Sequence, residues 1–234
     1  MRLDQLTWEE TQQYLQDQSA LIVPVGTCEQ HGKHLPLNTD TITVEHFADV
    51  LSTELGALTA PTINYGVNLP CDRSFAGTTT IAKTTLEETL RSIVSWWESQ
   101  GFGPLLVLSA HGDPVHIAAL KDAAAENVRM FELYEVPLED LLEVQTGCRH
   151  ACECETSLML YLFPHLVRQE RVVDFELSDA AFQPYLNHET EEQLPGDPPG
   201  SLGFPSKANR EKGQAIYLRM REHLFRWAKN RMCT

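Results

Sequence analysis

No apolar run in this chain approaches the roughly 20 residues that a membrane-spanning helix needs. The opening stretch MRLDQLTWEETQQ also lacks the apolar core of a signal peptide. A cytoplasmic protein without membrane contact is therefore expected. Basic residues are scarce: 18 Lys+Arg against 33 Asp+Glu leave a net charge of -15. That balance opposes attraction to nucleic-acid phosphates or anionic lipid, so the expected partner is a small polar molecule or another protein and not a nucleic acid. Six cysteines, irregularly spaced over 234 residues, are too few for a disulfide scaffold and read as reduced thiols. Cys148, Cys152 and Cys154 lie close together, but they form no Cys-x-x-Cys pair, which weakens the case for a thiolate metal site. Internal repeats and low-complexity tracts are absent, and the length suits one domain spanning 1–234.

What is present is alternation. The apolar run at 21–26 is followed by polar loop sequence, and 86–100 carries Leu86, Leu90, Ile93 and Trp97 at helical spacing. Two capping boxes mark helix starts, Thr7-x-x-Glu10 and Thr85-x-x-Glu88. Gly101-Phe102-Gly103-Pro104 reads as a stop and turn before a buried strand at 105–109. Asp113-Pro114 opens an Ala-rich helix to about 127, 130–134 reads as a strand, and 156–162 reads as a buried helix. The pattern predicts an α/β fold with a mainly parallel sheet covered on both faces. The Pro/Gly-rich segment 187–209 is too long for a plain connection and reads as a lid or a contact arm. The basic stretch 211–231, with Arg219, Arg221, Arg226, Lys229 and Arg231, reads as a helix with a solvated face, a subunit contact being the alternative.

Ligands of open α/β sheets bind beyond the carboxyl ends of the strands. Two clusters of metal-capable side chains lie at such ends: Glu29, His31, His34 and Asp40 after the first strand, and His111-Gly112-Asp113 after the strand at 105–109. A third, His150 to Glu155, precedes the helix at 156–162. Carboxylates mixed with imidazoles suit Zn, Mn or Fe, and a shared carboxylate can hold two such ions about 3.5–4 Å apart. Each residue also has a plainer role. Asp113 before Pro114 is an expected N-cap, although a cap can still face a site. His34 beside Lys33 reads as an exposed loop imidazole. Glu153 and Glu155 would leave a helix in different directions, so only one reaches a common point.

The stretch PVGTCEQHGKHLPLNTDT (24–41) strongly resembles the signature of the creatininase, or creatinine amidohydrolase, superfamily. RSFAGTTT (73–80), HACECETS (150–157) and GSLGFPSKANREKG (200–213) resemble further landmarks of that superfamily in the same order. The resemblance implies a three-layer αβα fold, a homohexamer and two divalent metals per subunit. By position, Glu29 and His111 would serve one metal, His31 and Glu155 the other, and Asp40 would bridge them. A water between the ions would be deprotonated toward hydroxide and attack an amide carbonyl. Asp113 would act as proton shuttle, and His150 would bind or protonate the substrate.

Departures from the pattern bear on the substrate. Creatinine-hydrolysing members resemble one another in a Trp shortly before the site His, where this chain has Thr146, Gly147, Cys148 and Arg149. The usual Asn-Gly-His-Gly-Gly-Asn is Ser109-Ala110-His111-Gly112-Asp113-Pro114 here, and Cys152 stands where Gly is usual. Creatinine itself is thus not the expected substrate. Arg149 reads as a partner for an anionic substrate group or as a surface salt bridge. The expected activity is hydrolysis of a C–N bond in a small cyclic amide. The alternatives are a formamide hydrolase acting on a ring-opened purine-type intermediate, a mononuclear zinc hydrolase and a non-catalytic metal-binding relative.

Overall fold

The structure, a computed structural model, describes residues 1–124 and 127–232. Four strands form one all-parallel sheet in the order β2-β1-β3-β4. They are β1 (Leu21–Val25), β2 (Leu58–Thr59), β3 (Leu105–Ser109) and β4 (Val128–Glu132). β1 and β3 are buried along their whole length, as parallel strands covered on both faces must be, and so are apolar at nearly every position. Their side chains alternate between two cores. Leu21, Val23, Val25, Leu105 and Val107 enter one, and Ile22, Leu106 and Leu108 the other.

The first core is closed by α1 (Trp8–Asp17), α3 (Lys83–Ser99) and α4 (Pro114–Ala123). The second is closed by α2 (Thr39–Leu55), α5 (Glu153–Leu162) and α7 (Arg210–Met232). This is the αβα layering that the sequence predicts. A short helix, α6 (Asp179–Leu186), lies outside the layers. Because β2 flanks β1 on one side and β3 on the other, the chain reverses direction across the sheet between β1 and β3. A crevice at their carboxyl ends follows from that topology.

Several boundaries differ from expectation. The Thr7 box forms with both its reciprocal bonds, but α3 begins at Lys83 with Ala82 at its N-cap, so Thr85 lies inside the helix. The cause is non-local: the N–H of Ile81 bonds to the carbonyl of Gly66, which keeps that segment extended only up to Ala82. Leu86, Leu90 and Val94 form the buried stripe of α3, while Ile93 and Trp97 lie at its margin. α4 ends at Ala123, before the expected 127; residues 125 and 126 lie outside the described residues. The strand expected at 130–134 runs two residues earlier, and 133–135 is a 3₁₀ turn whose Tyr134 N–H bonds to the Glu132 carboxylate at 3.1 Å.

α7 carries its basic residues outward, as expected. Arg219 pairs with Asp140, Arg226 with Glu222 and Lys229 with Glu54, while Arg221 lies over the rings of Tyr217 and Phe225. Its opposite face packs on α5, and Gly213 marks the closest approach: a Cβ there would lie 1.9 Å from the Ser157 carbonyl oxygen.

Candidate active site

The loop after β1 and the first turn of α2 deliver Glu29, His31 and Asp40. The loop after β3 delivers His111 and Asp113. The turn before α5 and its first turn deliver His150 and Glu155. Gly26 permits this convergence, since a Cβ there would sit 2.7 Å from the Thr41 backbone. Asp40 lies in the first turn of α2, where the helix dipole favours a carboxylate, and accepts from Thr27 Oγ1 at 2.6 Å. Its Oδ1 lies 2.9 Å from His31 Nε2 and its Oδ2 3.2 Å from His111 Nδ1.

Two sets of ligand atoms close enough to share a cation result, Glu29/Asp40/His111 and His31/Asp40/Glu155, with Asp40 in both. A third set joins Glu29 and His31 with His150. All five residues expected as metal ligands are thus brought together. None of these sets contains a cysteine.

The imidazole hydrogen bonds make the arrangement chemically specific. His31 Nδ1 lies 3.1 Å from the Glu29 carbonyl and His111 Nε2 2.9 Å from the Val67 carbonyl. A carbonyl only accepts, so each ring spends one N–H on the backbone and turns its other nitrogen to the carboxylates. Facing lone pairs repel unless a cation lies between them. The Oε2 of Glu29 is buried without a hydrogen-bond partner among the described residues, although His111 Nδ1 is 3.1 Å away. This donor set fits divalent cations of the Zn, Mn or Fe kind.

With protons alone to supply the charge, burial would lower the pKa of His31, yet Asp40 holds it up to about 10. His111 is likewise raised by Glu29 and Asp40 against the effect of burial. Burial works against ionised Glu29 as well, but His150 and His111 bring it down to about 2.

The remaining expected residues fall into place unevenly. Asp113 does cap α4, its Oδ1 accepting from the N–H groups of Val115 and His116, and it also lines the cavity. Its Oδ2 accepts from His188 Nε2 at 2.7 Å. His150 Nε2 donates to the Gln30 carbonyl at 2.6 Å, which leaves Nδ1 facing Glu29 Oε2 at 3.7 Å. Glu155 accepts from the N–H of Ala151, and burial raises its pKa well above the usual carboxylate range. Glu153 points away: it is fully buried, holds the N–H groups of Glu143 and Val144, and pairs with Lys212.

His34 corrects the sequence reading. It is fully buried, with Nε2 2.8 Å from Thr156 Oγ1, because the 31–35 segment folds back on itself. Cys152 is the N-cap of α5; its sulfur accepts from the N–H groups of Arg149 and Cys154 and lies 4.0 Å from Cys148 Sγ. Burial alone would raise that thiol, but Cys148 and these backbone donors bring it down to about 7.

Sequence reasoning missed several supporting groups. His116 of α4 is buried, and its Nδ1 accepts from the Val67 N–H at 3.2 Å. The Gln30 side-chain amide donates to Asp72 and the Gly200 carbonyl, so the latter part of the 187–209 loop is packed beside the site. Asp72 is pushed up to about 8 by burial and by Glu29. Gln30 stands inside the signature stretch. His116, Asp72 and His188 carry no local signal.

The site opens into a cavity of about 280 Å³. It is lined by Glu29, His111 and Glu155, by the apolar Leu69, Pro114, Phe182 and Leu186, and by Tyr134, whose buried hydroxyl has no partner among the described residues.

Comparison with known proteins identifies relatives of this chain. The chain is 29% identical to the creatinine amidohydrolase of Pseudomonas putida over 91% of its length and 90% of that protein. It is also 29% identical to the mycofactocin precursor peptide peptidase of Mycolicibacterium smegmatis, over 90% and 86%. A manganese creatininase and a Zn–Zn mutant creatininase superpose with TM-scores of 0.78 and 0.79, each at 26% identity, covering 97% of this chain and 97% and 96% of theirs. With residues 4–227 matching the creatinine amidohydrolase family model, the chain belongs to the creatininase family of hydrolases.

Proposed function

We propose that this chain hydrolyses a C–N bond in a small amide at a two-metal centre. Glu29 and His111 would hold one divalent ion, His31 and Glu155 a second, with Asp40 bridging. Zinc is the first choice, and manganese or iron the alternatives. The observation that carries the reading is the carboxylate of Asp40, set between two imidazoles whose other nitrogens are already committed to backbone carbonyls. Bound there, such ions lower the pKa of water toward neutrality and polarise a carbonyl.

The chain's own groups then handle protons and orientation. His150, with its N–H held by Gln30, presents Nδ1 to the cavity as a base or hydrogen-bond acceptor. Asp113 stands at the cavity wall with Oδ2 on His188, which orients it, so it would take the proton released as the attacking water ionises and hand it to a leaving nitrogen. The apolar part of the lining excludes water from that transfer. A cavity near 280 Å³ suits a small molecule better than a folded partner. Creatinine is set aside because Thr146 to Arg149 replace the aromatic approach. The assembly is expected to be a homohexamer, and free thiols at Cys28, Cys71, Cys148, Cys152 and Cys154 support a reducing, cytoplasmic setting.

The test is hydrolysis of a panel of cyclic amides and formamides by protein loaded with Zn, Mn or Fe. Asp113→Asn is expected to lower kcat by about 10²- to 10⁴-fold with metal content unchanged. A panel without turnover under every metal would refute the hydrolase reading. Sedimentation as a monomer at micromolar concentration would refute the hexamer.

A further inference from the structure

Arg149 stands on the cavity wall, one residue before His150, and is the one Lys or Arg among the described residues lining that cavity. In a chain with only 18 basic residues, a guanidinium beside the site calls for an explanation. Its partners both come from the entry to α6: the carboxylate of Asp179 and, at 3.4 Å, the carbonyl of Leu177. The Asp179 side chain is 86% exposed, so the pair is bathed in water and contributes little to stability. Asp179 also sits in the first turn of α6, where the helix dipole favours a carboxylate with or without Arg149. The tether is therefore weak and readily exchanged.

The electrostatics of the cavity favour exchange for an anion. Two divalent ions would bring four positive charges, which would balance the four carboxylates of Glu29, Asp40, Glu155 and Asp113. An incoming oxyanion at Arg149 then meets no surplus of negative charge from these groups. Phe182 and Leu186, of the same helix that carries Asp179, line the same cavity. We propose that Arg149 anchors a carboxylate of the substrate, with Asp179 occupying the guanidinium when no substrate is bound, so that the preferred substrate is an amide bearing an anionic group. This rests on the cavity being the substrate site of the proposed hydrolase. A guanidinium suits the role because its fork matches a carboxylate with two parallel hydrogen bonds.

The test is calorimetric binding to the zinc-loaded protein of two matched pairs, 5-oxoproline against 2-pyrrolidinone and dihydroorotate against dihydrouracil. The wild type is expected to bind each acid at least about tenfold more tightly than its neutral counterpart. Arg149→Gln should weaken the acids by at least about tenfold and leave the neutral amides within about twofold. Asp179→Asn, which removes the competing carboxylate, should tighten the acids by about threefold or more. The opposite signs separate an anchor from a latch, because a latch that merely holds α6 would make both variants weaken binding alike. Equal binding of acid and neutral amide, loss of acid binding in Asp179→Asn, or no binding of any of the four would overturn the proposal. If the acids bind selectively but no amide is hydrolysed, the hydrolase reading fails and the anion anchor stands. Turnover that ignores the carboxylate fails the anchor alone.

Discussion

His111 donates its Nε2–H to the carbonyl of Val67 at 2.9 Å, and that one bond leaves Nδ1 between Glu29 and Asp40. The N–H of the same residue, Val67, bonds to His116 Nδ1 at 3.2 Å, so the strap at 66–67 is pinned on both sides. A Cβ at residue 66 would lie 2.5 Å from His116 Nδ1 and 2.7 Å from Thr27 Cγ2. Gly66→Ala must move the strap, and losing the orientation of a ligating imidazole typically costs about 10- to 100-fold in metal affinity. Chelator competition with zinc is the check. Unchanged affinity would mean that Val67 does not orient His111.

Gly213→Ala sets two effects against each other. Helix propensity favours alanine by about 1 kcal/mol. The new Cβ, however, meets the Ser157 carbonyl oxygen at 1.9 Å, and backbone on a packed helix yields only by separating α5 from α7. Overpacking of that kind costs about 1–3 kcal/mol or more, so net destabilisation is expected in urea unfolding.

Glu153 and Glu155 should separate cleanly. Glu153→Ala removes the acceptor of the Glu143 and Val144 N–H groups while Lys212 keeps Glu143 and the Lys207 carbonyl, and should cost about 1–3 kcal/mol of stability with metal content intact. Glu155→Gln should lower metal content with far less loss of stability. Thermal unfolding together with elemental analysis distinguishes the two, and the reverse pattern would exchange their roles.

His34 gives a pH dependence of definite sign. Burial, aided by His31 and His150, lowers its pKa to about 4, against about 6.5 in an unfolded chain. Above about 6.5 both states are neutral. Between 6.5 and 4 the unfolded chain binds a proton that the folded chain refuses, so this stability is lost as pH falls through that window. His34→Gln can retain a hydrogen bond to Thr156 and has no such proton. The wild type should lose stability relative to the variant from pH 6.5 to 4 in urea titrations, and parallel curves would contradict the assignment.

What the sequence discloses and what it hides follow from the range of the interactions. β1 and β3 are legible because a strand buried on both faces must be apolar throughout, and Asp113 is legible as a cap because Asp-Pro is a local signal. His34 is misread because its burial depends on Thr156, 122 positions away. His188 has no local signal at all, since its role comes from Asp113 at a separation of 75 residues. The start of α3 is displaced for the same reason, through the bond from Ile81 to Gly66. The residues proposed as ligands are legible through their resemblance to a known signature, whereas the orientation of the His111 ring depends on Val67, to which the sequence reading assigns no role.

A carboxylate bridge between two metals is tested by elemental analysis of purified wild type beside Asp40→Ala. About two divalent ions per chain are expected in the wild type and well below one in the variant. About one ion in the wild type would point to a mononuclear centre. Two ions retained by Asp40→Ala, or none taken up by the wild type after reloading with Zn, Mn or Fe, would contradict the account outright.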